Sequence, residues 1–155
     1  MTMEPSPPSG DGERRRAMAV LAQARADEIA AGLAQVGALS DFTELRPAET
    51  GLVMLRGRIG GDGAPFNAGE ATVTRAAVQI ASGEKGFSYV LGRDMRKARL
   101  AALCDALWQS ETHRPAIEQH VLAPLRAAQD ERRALQRAQT AATRVDFFTL
   151  VRGED

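Results

Sequence analysis

"GLVMLRGRIGGDGAPFNAGEATVTRAAVQI", residues 51–80, offers two opposed readings, a phosphate-cradling loop or a turn between two strands. Gly60, Gly61, Gly63 and Gly69 crowd around Asp62 and Pro65, and glycine serves both purposes because it permits positive φ and close approach of a ligand. A P-loop needs G-x-x-x-x-G-K-[ST] running into a helix, whereas Glu70, Ala71 and Thr72 follow Gly69. A dinucleotide G-x-G-x-x-G cannot be laid over these glycines either. Thr72, Thr74, Ala76, Val78 and Ile80 share one parity, which is the period of a strand, and "GLVMLRGRI" before the glycines also favours a strand. The segment therefore reads as two strands joined by a glycine-rich connection.

The other strand and turn signals extend this pattern. "FTELRPAETGLVMLRGRI", "EATVTRAAVQI" and "GFSYVLG" fall within residues 42–92, and "ASGEKG" has the composition of a compact hairpin turn. Connections this short imply a meander of three or four antiparallel strands. Ahead of it, Met18, Leu21 and Ala22 mark one helix closing at Ala24 and Arg25. Asp27 is placed to cap a second, with Ile29, Leu33 and Val36 before Gly37. This pair has the outline of a helix-turn-helix, but "EIAAGLAQVG" offers no Arg, Lys or Asn to reach base edges.

After the strands, Asp94 caps an amphipathic helix whose Leu100, Leu103, Cys104, Leu107 and Trp108 recur at spacings of three and four. Pro115 suits the first turn of another helix with Ile117, Val121, Leu122 and Leu125 inward, and Pro124 is expected to kink or end it. "RAAQDERRALQRAQTAATR" reads as a solvated helix. "RVDFFTLVRG" at the end is apolar on both parities: Val145, Phe147 and Val151 alternate with Phe148 and Leu150. Such an extended segment needs burial on two sides, within this chain or in a partner, and Val145, Phe147, Phe148 and Leu150 are the candidate interface residues. Residues 1–12, with "PSPPSG", read as a disordered tail before a single domain over 13–155. The expected class is α+β, an antiparallel β-meander packed against several helices, with a helical N-terminal hairpin and an extended C-terminal segment.

Composition narrows the function. A chain of 155 residues buries roughly two-thirds of its unfolded surface, so one domain needs no metal or disulfide. Aromatic residues make up only 5%, which points to a core of Ala, Leu and Val. Zero formal net charge removes the electrostatic footprint of a protein that binds a nucleic-acid backbone. No apolar run approaches ~18 residues and the N-terminus lacks an apolar signal core, so a cytoplasmic protein without a membrane span is expected. Cys104 has no second cysteine to pair with, and His113 and His120 do not make a metal cluster with it. Cys104 reads as a small buried hydrophobe, His113 as a loop residue and His120 as a helix-surface residue.

No nucleophile elbow, carboxylate pair with a base, or cysteine triplet is present, so no catalytic residue is assigned. The polar residues that stand out are Arg58, Asp62, Glu70, Thr72, Thr74 and Arg75, with Arg93 and Asp94 in "GRD". Arg58, Arg75 and Arg93 are suited to phosphate or phosphonate oxygens, which makes a stand-alone nucleotide- or phosphonate-binding module one reading. A surface ion-pair network with Glu70 and Asp94 is the plainer one.

"AETGLVMLRGRIGGDGAPFNAGEATVTRAAV", "GFSYVLGRD" before an alanine-rich helix, "LAPL" and the terminal "RVDFFTLVRG" together resemble the PhnG family, a subunit of the bacterial carbon–phosphorus lyase system. The resemblance covers residues 14–153. It implies a subunit that acts with PhnI, PhnH and PhnL to displace adenine from ATP by methylphosphonate, giving α-D-ribose 1-methylphosphonate 5-triphosphate. A core assembly with PhnH, PhnI and PhnJ is implied as well. The nucleosidase-like chemistry is attributed to PhnI and the iron–sulfur radical step to PhnJ, so no cofactor is expected in this chain.

Overall fold

The computed structural model describes residues 9–37 and 42–143. In chain order these form α1 (Ser9–Gln23), α2 (Ala26–Val36), β1 (Phe42–Arg58), β2 (Pro65–Ile80), β3 (Lys85–Leu91), α3 (Met95–Gln109), α4 (Arg114–Ile117) and α5 (Ala123–Ala142). The strands make one antiparallel sheet in the order β1-β2-β3, and helices cover one of its faces: the α+β class read from the sequence. Helix α1 begins ahead of the helical pattern read from Glu13. The expected extended segment at the C-terminus, with Val145, Phe147, Phe148 and Leu150, lies outside the described residues.

The alternation in β2 sets the layering. Thr74, Ala76, Val78 and Ile80 are buried on the helical side, joined by Gly86, Ser88 and Val90 of β3. Against them lie Ala98, Ala101, Ala102, Leu103, Cys104 and Leu107 of α3, a core in which alanine lets the helix approach the sheet closely. Gly86 takes this furthest. A Cβ there would stand 1.9 Å from the Ala102 carbonyl oxygen and 2.5 Å from the Ala106 nitrogen. Helices α1 and α2 close the core with Ala17, Leu21, Ala24, Ile29 and Leu33. Ala22 is exposed instead, because residues three and four away from Leu21 share its face and those are Ala24 and Ala17.

Two helix boundaries depart from the expected caps. The N-cap of α2 is Arg25, whose backbone N–H donates to Glu28 Oε2 at 2.8 Å, while Asp27 lies in the first turn and pairs with Arg96. A carboxylate reaching back from the third helical position thus satisfies the N–H of the N-cap residue, the backward half of a capping box. Asp94 caps α3 as expected, accepting from the Lys97 N–H at 2.8 Å. Pro124 does not end the helical path, which continues through it as α5. The stretch Glu118–Leu122 is wound as a π-helix in which the Ala123 N–H donates to the Glu118 carbonyl, and Pro124 falls in the first turn of α5. Pro124 has no N–H for the His120 carbonyl four residues back, and that oxygen lies where it would be 2.6 Å from a Cβ on Gly32 of α2.

Both glycine-rich connections are turns. Between β1 and β2, Gly60 and Gly61 take φ of 67° and 88°, and the Gly63 N–H donates to the Ile59 carbonyl at 3.1 Å. Between β2 and β3, Gly83 has φ 104° and donates to Ile80 at 2.9 Å.

Candidate functional site

The face of the sheet away from α3 carries no helix among the described residues. It presents Phe87, Tyr89 and Leu91 of β3, with Leu91 75% exposed, opposite Ala77, Arg75 and Val73 of β2. In its centre Arg75 donates from Nε to Glu49 Oε1 at 2.8 Å, and Arg46 stands 3.4 Å from the same oxygen. Hydrogen bonds to Tyr89 and then to Glu49 raise the Arg75 pKa above its ordinary value. The partner of Arg75 is therefore Glu49, its cross-strand neighbour, rather than Glu70.

Past the Gly51–Val73 pair, β1 and β2 leave the helices behind and continue as a two-stranded arm about 20 Å long. Its surface is apolar on both sides: Leu52, Met54, Leu55, Ile59 and Phe66 are all exposed. The Phe66 ring covers the opposed Gly57, with ring carbons 3.3 Å from where a Cβ would lie. At the tip, Arg56, Gly57, Arg58, Gly61 and Pro65 line an open depression of about 580 Å³. Arg58 donates to the Gly63 carbonyl at 3.2 Å and so braces the turn.

Arg58, Arg75 and Arg93 do not share a site. Nine residues of extended strand separate Arg58 from Glu49, the partner of Arg75, a span of roughly 30 Å. Arg93 follows Gly92, whose φ is 88° and whose N–H donates to Thr72 at 2.9 Å, so it lies on the order of 20 Å from Arg58. Thr74 is structural: its buried hydroxyl donates to the Gly92 carbonyl at 2.7 Å and stands 3.2 Å from the Thr50 hydroxyl.

Other polar groups tie helices together. Asp105, on the buried stripe of α3, accepts from Arg14 Nε at 2.8 Å and Nη2 at 2.7 Å and from the backbone N–H of Phe87 at 2.8 Å. Sequence reasoning passed over it; the available signal was one acid inside "LAALCDALW". Glu118 accepts from Trp108 Nε1 and from Arg126, each at 2.8 Å, while the Arg114 guanidinium stacks 3.7 Å above the Trp108 ring. His113 meets Ser110 at 3.1 Å and His120 meets Gln35 at 3.2 Å. Cys104 is fully buried, and desolvation pushes its thiol pKa up, the reverse of a reactive cysteine. Among the described residues no three His, Cys, Asp or Glu side chains gather as metal ligands, and no helix is long and apolar enough to cross a membrane.

Residues 12–153 match the family described as phosphonate metabolism protein PhnG. The chain is 49% identical over 150 residues to the alpha-D-ribose 1-methylphosphonate 5-triphosphate synthase subunit PhnG of Rhizobium meliloti (strain 1021), covering 95% of this chain and 94% of that protein.

Proposed function

The chain belongs to the PhnG family of phosphonate metabolism proteins, and we propose that it works as a subunit of α-D-ribose 1-methylphosphonate 5-triphosphate synthase. The carrying observation is the 49% identity to a subunit of that name along nearly the whole length of both chains. In the proposed reaction a methylphosphonate oxygen bonds to the ribose C1 of ATP, the bond from C1 to adenine breaks, and adenine leaves with a proton. The catalytic centre lies in a partner subunit, and this chain supports it in the cytoplasm within an assembly of PhnH-, PhnI-, PhnJ- and PhnL-type subunits. The open sheet face and the apolar arm favour an assembling role, since contiguous exposed apolar surface on a small domain marks a contact site. Residues 144–152 belong to the same role, with Val145, Phe147, Phe148 and Leu150 docking on the PhnI-type partner.

The test is reconstitution from ATP and methylphosphonate. Adenine release is expected from the complete set of subunits, and none from this chain alone or from the set without it. Undiminished release without this chain overturns the reading. Deletion of everything after Thr143 is expected to leave a chain that folds cooperatively but no longer co-purifies with its partners; loss of folding would make that segment core instead.

A further inference from the structure

We infer that the outer edge of β1 from Glu49 to Leu55 receives an extended strand from a different subunit, apolar at its centre and bearing a carboxylate beside Arg56 and Arg58. This rests on the subunit reading above.

The two edges of the sheet are treated differently. On β3 the edge is sealed by α3: Asp105 takes the Phe87 N–H, and Gln109 Nε2 donates to the Lys85 carbonyl at 2.7 Å. The first part of β1 is protected in another way. Its register with β2 breaks between Glu44 and Arg46 and again between Arg46 and Glu49, and Pro47 removes one N–H. Breaks, prolines and charges are the devices that keep a sheet edge from pairing.

Between Glu49 and Leu55 these devices stop. Pairing with β2 is unbroken from Glu49–Arg75 to Leu55–Gly69, so the backbone is regular, and no element lies outside it among the described residues. A regular edge exposes alternating N–H and C=O groups that only another extended backbone satisfies along its length. The flanking side chains set the chemistry of that strand. Leu52 and Met54 stand on one face and Val53 and Leu55 on the other, so the incoming segment meets apolar neighbours on both. An isolated two-stranded ribbon is only marginally stable in water, so covering this arm also supports its own structure.

The charges favour a different subunit over a second copy of this chain. Antiparallel self-pairing would bring the Arg46 end of one copy beside the Arg56–Arg58 end of the other, setting like charges together at both ends. Arg46 already has Glu49, while no carboxylate pairs with Arg56 or Arg58 among the described residues. A strand with an acid at that position complements them.

A photo-crosslinking residue at Met54, in the full chain co-expressed with the other synthase subunits, identifies the occupant. The expected product joins this chain to a different subunit; a product with a second copy, or with residues 144–155 of the same chain, overturns the inference. Backbone amides between Glu49 and Leu55 that point outward are expected to exchange at least tenfold more slowly in the complex than in the free chain. The double substitution L52K/L55K, at two exposed positions, is expected to leave the melting temperature unchanged and to reduce co-purification at least tenfold. Full co-purification of that variant, with unchanged exchange in the wild-type complex, defeats the strand-docking inference and leaves the subunit reading standing. Failure of the wild-type chain to join the other subunits overturns both.

Discussion

The backbone N–H of Phe87 and the carboxylate of Asp105 meet at 2.8 Å, joining the outer edge of the sheet to the middle of α3. Arg14 of α1 closes the arrangement with two further bonds, so one side chain holds three elements. Replacing Asp105 by Ala strands a backbone donor and a partly buried guanidinium together, and the expected cost is about 2–4 kcal/mol. Chemical denaturation of D105A measures it. A change within about 0.5 kcal/mol, as for an ordinary surface position, would show that the cluster is not structural.

Three glycines are expected to respond to alanine in a defined order. Gly86→Ala places a carbon 1.9 Å from a helix carbonyl and is expected to abolish cooperative folding. Gly32→Ala meets His120 O at 2.6 Å and is expected to cost about 2–3 kcal/mol as the helices separate. Gly51→Ala meets nothing within 4 Å and is expected to be neutral or to stabilise by up to about 1 kcal/mol. Thermal melts of the three variants give the order directly, and a Gly86→Ala chain as stable as wild type contradicts the packing described.

Acid is expected to weaken the helical layer. Burial alone would raise the Glu118 pKa, but hydrogen bonds from Arg126 and Trp108 hold it below the ordinary 4.5. Glu28 is lowered too, first by the Arg25 backbone N–H and then by Arg132. For a carboxylate whose folded pKa is depressed, the stabilisation is complete above the ordinary value and is lost as pH falls through the folded one. Stability should therefore hold down to about pH 5 and decline below 4.5. E118Q should flatten that decline, and a variant with the wild-type acid slope would remove Glu118 from the explanation.

Arg75 offers a test that separates folding from assembly. Its ion pair with Glu49 is solvent-exposed, so water screens it and it adds little to stability. R75A is expected to melt close to wild type while adenine release by the assembled synthase falls roughly tenfold, equivalent to about 1.4 kcal/mol. Equal losses in both measurements assign Arg75 to the fold alone.

The elements legible in the sequence are those whose signals are local. The Asp94 cap, the stripe Leu103–Cys104–Leu107–Trp108, the parity of Thr74 to Ile80 and the glycine turns depend on neighbours within a few residues, and each is found in the structure. What escaped depends on distant partners. Gly86 and Gly32 look like any glycine until a helix carbonyl is placed against them. Asp105 was passed over because its partners, Arg14 and Phe87, lie far away in the chain. The candidate arginines failed to converge for a related reason: sequence proximity to a turn does not reveal that the hairpin carries Arg58 out along a projecting arm.

The π-helical turn at Glu118–Leu122 also fixes the azimuth of everything after it. The extra residue taken into this turn sets the following helix back by about 100° relative to uninterrupted α winding, the step between neighbouring side chains. With that offset, Leu125 and Gln129 are turned inward, and the Gln129 amide donates to the Val20 carbonyl at 2.8 Å. Ordinary winding with every residue kept would aim Pro124 and Ala128 at the core in their place. Deleting one residue from the stretch would remove the widened turn and keep Leu125 and Gln129 inward, so the single widened turn acts as a phase setting for the whole C-terminal helix.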